Sequence, residues 1–285
     1  KYFGEEQLES NSFTYRLKTI LDNVMYLMKH IMEELSQSEF FVADCELKIG
    51  EDIPSYTIVL PDGHKIAVCG SVDRVDIMQR ADITYLRIID YKTGTKQFKL
   101  SDILYGINLQ MLLYLHSIEA SGGDKYGEIV PAGILYMPAT VPYISSDSLK
   151  SIDKLPDELN KKLKMNGLLL KDTEIIHGMD KTDAATYIPV KIKAGEPVSS
   201  TSLATLAEFG KIFKKVDMLI AEMGKNIYNG NIEAKPLKGG HDSCEYCPYD
   251  SVCAYRQSNP ITCFSVDNKT VIEEITNEIN GKEEE

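Results

Sequence analysis

Residues 11–37 carry apolar side chains at Leu17, Ile20, Leu21, Val24, Met28, Ile31 and Leu35. Spacing by three and four predicts an amphipathic helix with one buried stripe. The period then changes. FFVADCELKI (40–49), SYTIVL (55–60), KIAVCGSVD (65–73) and ITYLRIIDY (83–91) are short runs rich in β-branched and aromatic residues, and predict four strands. PDG at 61–63 predicts a hairpin turn between the second and third. A helix is predicted over 102–119, with Leu104, Ile107, Met111 and Leu115 on one side, and a strand over VPAGILYMPA (130–139). The order α-β-β-β-β-α-β predicts an α/β fold, a central mixed sheet flanked by helices. Residues 145–200 are polar and rich in Lys and Asp around a short GLLL run at 167–170, and are read as helix and loop insertions. Residues 201–229 predict one more helix, with Leu203, Leu206, Phe209, Ile212, Phe213, Val216, Leu219 and Ile220 apolar. The last fourteen residues, IEEITNEINGKEEE, predict a solvated, frayed helical tail.

Composition narrows the class. With 285 residues, 43% of them hydrophobic, the chain has material for a sizeable core. A net charge of −12 argues against a general nucleic-acid coat protein, which would be basic. No run of 18 apolar residues and no signal peptide occur, so a cytoplasmic protein with no membrane partner is expected. The sequence opens KYFGEE without a methionine and reads as a piece of a longer protein.

The candidate chemistry lies where apolar runs meet charge. Asp90 and Lys92 project to one side of their strand and Tyr91 to the other. Leu86 and Ile88 share the Asp90 face, so an acid there needs a partner or a cation. Asp73 ends the preceding run in the same way, and neighbouring strands would bring the two carboxylates together. A divalent cation resolves the resulting repulsion, and Mg²⁺ commonly uses one or two carboxylates plus waters and phosphate oxygens. A lysine beside such an ion suits hydrolysis of a phosphodiester. A lone D-x-K is more often a solvated edge pair, but here a second acid follows another apolar run. Gln110 and Tyr114 also share one face of the following helix. The stretch LRIIDYKTGTKQFKL (86–100) sets Arg87, Lys92, Lys96 and Lys99 against one acid, a suitable passage for a phosphate backbone.

Three of the six cysteines crowd together as C-x2-C-x5-C: Cys244, Cys247 and Cys253. Zinc or an iron–sulfur cluster is the natural reading, and either needs four ligands. Cys45 and Cys69 lie in predicted strands and are read as core residues. His30 lies off the stripe of the first helix and is read as a surface residue.

GSVDRVD, RIIDYKTG and NLQMLLYL together resemble the PD-(D/E)xK nucleases of the RecB type, with Val72-Asp73 at the place of the Pro-Asp. Within that group the chain is similar to the C-terminal nuclease domain of AddB (RexB) subunits of bacterial helicase–nucleases. YLRIIDYKTG, YGINLQMLLYL, PAGILYMPA and MNGLLLKDTEIIHGMD carry this likeness, which runs from the first helix to about residue 256. The resemblance implies a restriction-endonuclease-like core over 11–140, an insertion at 145–200, and a final helix with the cysteine motif at 201–256. All of 1–256 would form one domain, followed by an acidic tail over 257–285.

It also implies a Mg²⁺-dependent DNA exonuclease of double-strand break processing. Asp73, Asp90 and the Tyr91 carbonyl would bind metal, Lys92 would be the catalytic lysine, and Gln110 and Tyr114 would match the QxxxY motif. Asp76 is better read as a structural salt-bridge acid. The substrate implied is a single strand unwound from a duplex end, and the partner an AddA-type helicase–nuclease subunit. Cys244, Cys247 and Cys253 match ligands of a [4Fe–4S] cluster whose fourth cysteine lies upstream. Neither His241 nor Cys263 matches it. The family's active-site histidine is likewise expected before Lys1, which puts activity of this stretch by itself in question. The competing readings are a non-catalytic DNA-end-binding scaffold stapled by the cluster, and a CRISPR-associated RecB-like iron–sulfur exonuclease. The intact Asp73, Asp90 and Lys92 set favours the nuclease over the scaffold.

Overall fold

The apolar runs of the first half become strands that place charge at their ends. The computed structural model describes residues 11–94, 97–142, 144, 155–199, 201–249, 251–253, 255 and 260–283. Helix α1 (Asn11–Ser36) leads into β1 (Phe41–Ile49), then a hairpin of β2 (Tyr56–Val59) and β3 (Lys65–Val68). The hairpin turns at the predicted PDG, where Gly63 takes the left-handed φ of 87°. Next come β4 (Gly70–Arg80), β5 (Ile83–Lys92), a 3-10 turn (Leu100–Tyr105), α2 (Gln110–Ser121), a single helical turn (Gly123–Tyr126) and β6 (Glu128–Pro138). The chain continues through α3 (Leu155–Leu163), β7 (Asn166–Leu170), α4 (Thr173–Met179), β8 (Lys191–Lys193), β9 (Glu196–Val198) and β10 (Leu203–Ala204). It closes with α5 (Leu206–Tyr228), β11 (Leu237–Gly239), β12 (Ile261–Cys263) and α6 (Asn268–Glu283).

Six strands form one mixed sheet in the order β1-β4-β5-β6-β7-β10. The steps β1–β4, β4–β5 and β6–β7 are antiparallel, while β5–β6 and β7–β10 are parallel. A parallel step needs a crossover. Here the 3-10 turn and α2 supply it, and α2 packs on β5 and β6. Leu86, Ile88 and Ile89 of β5 and Ala132 and Leu135 of β6 are fully buried at the centre of the core.

Five expectations are corrected. The predicted strand 65–73 is two strands, and β4 continues to Arg80. The charges of RVDIMQR hide this strand from a hydrophobic reading, yet Arg74 and Asp76 are buried within it. The helix predicted over 102–119 breaks, because Gly106 (φ 69°) and Asn108 (φ 54°) take left-handed conformations that end the 3-10 turn before α2 begins. The 145–200 segment is not only helix and loop. Its GLLL run is β7, paired with β6 inside the main sheet. The final acidic stretch is a docked helix, since Val271, Ile275 and Ile279 recur every fourth residue and are buried, and Lys215 of α5 meets Glu278 at 2.5 Å. Cys45 and Cys69 are exposed rather than core, Cys45 on a solvent-facing position of β1 and Cys69 at the break between β3 and β4.

The first helix is the most instructive departure. Leu17, Ile20, Leu21, Val24 and Met28 of its apolar stripe are exposed, whereas His30 and Glu34 are buried. Glu34 is drawn inward by Arg74 and Arg87 of the sheet, at 3.1 and 2.6 Å. Two charged hydrogen bonds in a dry site outweigh the stripe and set the helix's rotation. His30, one turn earlier, is thereby buried against the Tyr187 ring (centroids 5.3 Å apart), and burial lowers its pKa.

Candidate active site

Strands β4 and β5 are antiparallel, so the first residues of one lie beside the last residues of the other. Asp73 lies near the start of β4, while Asp90 and Lys92 close β5. The two acids come to neighbouring positions because one opens its strand and the other closes its own. The expectation that both end their strands is corrected. Asp73 Oδ2 accepts the Tyr91 amide at 3.0 Å, which sets that carboxylate against the main chain between Asp90 and Lys92. Lys92 Nζ lies 2.5 Å from Asp90 Oδ2. Asp90 is only 6% exposed. Its approach to Lys92 has the distance of an ion pair but not the direction of a hydrogen bond, so Oδ2 is left without a donor. A buried carboxylate oxygen with spare accepting capacity, beside a second carboxylate, fits a divalent cation. Among the described residues no three His, Cys, Asp or Glu side chains cluster, so such an ion would complete its shell with main-chain and solvent oxygens.

Tyr136 of β6 is the cross-strand neighbour of Asp90. Its ring centroid stands 5.8 Å from Lys92 Nζ. Burial, then the charges of Asp90 and Asp102, push its phenol up to about 12. Sequence reasoning missed it, because within GILYMPA it reads as one more apolar position. Only the β5–β6 register brings it to the site.

Helix α2 brings the other two candidates. Gln110 opens the helix and is exposed, and its Nε2 reaches the Tyr114 hydroxyl at 3.5 Å. Tyr114 is half-buried over Gly70, the first residue of β4. A Cβ on Gly70 would lie 2.3 Å from the Tyr114 hydroxyl oxygen, so the close approach of helix to strand requires glycine here. All five candidates, Asp73, Asp90, Lys92, Gln110 and Tyr114, therefore gather at the end of the sheet where β5 closes and β4 opens.

The other face of the same strands is closed. Cross-strand partners share a face, and Asp76 pairs with Arg87. Asp76 takes the Arg74 guanidinium through two bonds of 2.7 and 2.6 Å and the Arg87 Nε at 3.0 Å. With Glu34 they form a neutral set of two acids and two arginines. Asp76 thus lies in a structural ion network, away from Asp73. Arg87 is wholly buried in it, which removes that residue from the basic passage expected after the site. Of the rest of that passage, Lys99 is exposed and Lys96 lies outside the described residues.

Residues 3–254 match the family model of the PD-(D/E)XK nuclease superfamily. The chain belongs to that superfamily. Its mixed sheet with flanking helices is the restriction-endonuclease-like fold. It is 38% identical over 246 residues to the B subunit of the ATP-dependent helicase/deoxyribonuclease of Thermoanaerobacter sp. (strain X514), covering 84% of this chain and 21% of that one. Proteins of the same name from Alkaliphilus oremlandii and Clostridium kluyveri are 35% and 36% identical, over 92% and 95% of this chain. The chain spans 21 to 24% of the length of these relatives.

The cysteine motif of this PD-(D/E)XK chain forms tight turns. The Cys247 amide bonds the Cys244 carbonyl at 3.2 Å, and the Cys253 amide the Tyr249 carbonyl at 2.8 Å. Cys263 is buried in β12 beside Gly239. Among the described residues the three thiols of the motif do not gather into a group that could hold a metal ion. No helix among the described residues is long and apolar enough to cross a membrane.

Proposed function

We propose that this chain is the nuclease module of an AddB-type subunit, a Mg²⁺-dependent exonuclease that hydrolyses phosphodiester bonds of DNA. The observation that carries this reading is the gathering of Asp73, Asp90 and Lys92 at one end of a sheet whose other buried acids nearby, Glu34 and Asp76, are both bonded to arginines. Asp73, Asp90 and the Tyr91 carbonyl would hold Mg²⁺, which when bound offsets charge on the phosphate and activates water. The chain's own groups do the remainder. Asp90 holds the Lys92 ammonium in place, and the Tyr136 ring limits where it can swing. Lys92 then presents positive charge to the phosphate as negative charge grows on it, and orients the attacking water. Tyr114, pinned on Gly70, fixes the start of α2, from which the exposed Gln110 amide meets the DNA strand.

The relatives' names couple deoxyribonuclease to an ATP-dependent helicase. That supports a substrate of single strands from unwound duplex ends and an AddA-type partner. Double-strand break processing for recombinational repair in the cytoplasm is the setting that fits. Mn²⁺, followed by electron paramagnetic resonance, should bind this chain at one site. Asp73→Asn and Asp90→Asn should each weaken that binding about tenfold, on the scale of one charge-assisted bond, with the circular dichroism spectrum unchanged. Cleavage of end-labelled single-stranded DNA should need the divalent ion. Undiminished Mn²⁺ affinity in both variants would overturn the site assignment.

A further inference from the structure

The chain is acidic overall, yet the surface beside Lys92 is not. A cavity of about 430 Å³ opens next to the site, lined by Lys92, Lys161, Lys162, Lys164 and neutral residues at the ends of β6 and β7 and in the loops after β5 and β6. A second cavity of about 590 Å³ shares Lys161 and Lys164 with the first and adds Lys191 and Lys193. Neither has an acidic residue in its wall. Lys191 and Lys193 alternate on β8, so both project from one side of that strand, and both are exposed. Neither has a carboxylate partner among the described residues. Lys161 meets Glu158, one turn back on α3, but in an exposed pair that binds its ammonium only weakly. Lys164 donates to the carbonyls of Ala185 and Val190 at 2.6 and 3.1 Å, which fixes its ammonium between the two cavities. Its pKa is lowered by burial, with the Lys191 charge adding to the effect against the pull of Asp180. Cations held this close repel one another, and a fold with a net charge of −12 has acids to spare for separating them. The acids beside them, Glu158 on α3 and Glu196 opposite Lys193 on β9, stand outside both cavity walls, which leaves the walls themselves for a polyanion to complete.

We infer that Lys161, Lys164, Lys191 and Lys193 form a track for the phosphate backbone of the same single DNA strand that is cut at Lys92. The inference rests on the nuclease reading above and adds to it a second binding surface, supplied by residues 161–193. It makes grip depend on length, because a strand must pass from Lys92 across the first cavity to reach the second. The test measures binding of the full chain to dye-labelled oligodeoxythymidylates of 4 and 16 nucleotides by anisotropy, in Ca²⁺, across a salt series. The double variant Lys191→Ala/Lys193→Ala is compared with Lys29→Ala, an exposed lysine of α1. Each lysine withdrawn from a phosphate lowers the slope of log affinity against log salt by about 0.7. The double variant should therefore lose roughly 1.4 from the slope, and about tenfold in affinity for the 16-mer. The 4-mer should lose much less, and Lys29→Ala should bind as the parent does. Equal losses for both lengths, or no loss for either while the parent binds, would overturn the track and leave the nuclease reading standing. Failure of the parent to bind either oligonucleotide at low salt would sink both.

Discussion

The two faces of the β4–β5 hairpin carry similar charges and use them in opposite ways. On one face Glu34, Arg74, Asp76 and Arg87 sum to zero, have side chains no more than 2% exposed, and are joined by short bonds in several directions. On the other, Asp90 is nearly as buried, but its one ion pair leaves an oxygen without a donor, and Lys92 remains partly open to solvent. On the first face every carboxylate oxygen of Glu34 and Asp76 accepts from an arginine, and only Arg87 Nη1 is left without an acceptor, so its charges hold the helix and the strands together. The second is under-satisfied at the mouth of the sheet, which is where a fold retains capacity for a ligand. Burial alone does not separate structure from chemistry here. Whether the buried carboxylates have found donors does.

That contrast can be broken from the closed side with the greatest effect. Asp76→Ala leaves two guanidinium groups facing Glu34 alone, and removing one partner of a buried set costs about 3–5 kcal/mol. Urea denaturation should show that loss, with Mn²⁺ affinity per folded molecule unchanged. From the open side the outcome inverts. Lys92→Ala should cut single-strand cleavage by about 10²–10³ while destabilising the fold by less than Asp76→Ala does, because the Lys92 side chain is partly open to solvent. A variant on the open face that unfolds the chain, or one on the closed face that only slows cleavage, would dissolve the distinction. Gly70→Ala sharpens it at a boundary. Its new Cβ would collide with Tyr114, and overpacking of this kind costs about 1–3 kcal/mol. Crystal structures of parent and variant should show the tyrosine displaced from the strand, and cleavage should fall with it.

The smallest effect belongs to a cluster between these extremes. His116, two residues beyond Tyr114 on α2, lies 3.2 Å from Asp217 of α5, 3.3 Å from Glu119, and 3.2 Å from the Tyr56 hydroxyl of β2. Its ring stacks on Phe213, centroids 4.7 Å apart. Burial opposes its charge, but bonds to Asp217 and Glu119 prevail and raise its pKa from 6.5 to about 9. A raised pKa stabilises the fold fully below pH 6.5, and that contribution is lost as pH rises through about 9. Melting temperature should thus fall between pH 7 and pH 10 by more in the parent than in His116→Gln. Equal falls would remove His116 from the account.

Much of this was legible in the chain. The D-x-K at 90–92 and the acid at 73 were readable because a charge at the end of an apolar run stands out. The strand carrying Arg74 and Asp76 was not, because a fully paired buried charge looks in sequence like a solvated one. The rotation of α1 was hidden for the same reason, since Glu34 finds its partners 40 and 53 residues away. Lys161, Lys164, Lys191 and Lys193 looked like the polarity of a loop. Their spacing in sequence gives no sign that two cavities share them. KIK at 191–193 was the available signal, two like charges on one side of a short strand.

One small feature governs more than its size suggests. Strands β4 and β5 are joined by a two-residue turn, Ala81 and Asp82, with Arg80 opposite Ile83 and Ala81 at φ 50°. Asp90 sits at the far end of that hairpin, roughly 26 Å away at about 3.3 Å per residue. The turn works as a reading frame for the sheet. Inserting or deleting a single residue there would shift one strand against the other and turn its side chains to the wrong face. On the shifted strand the acid of the site and the arginine of the network would exchange faces without either being mutated. A frame error at a distant turn is therefore as lethal to this site as loss of Lys92, and a scan of point substitutions around the site would not discover it.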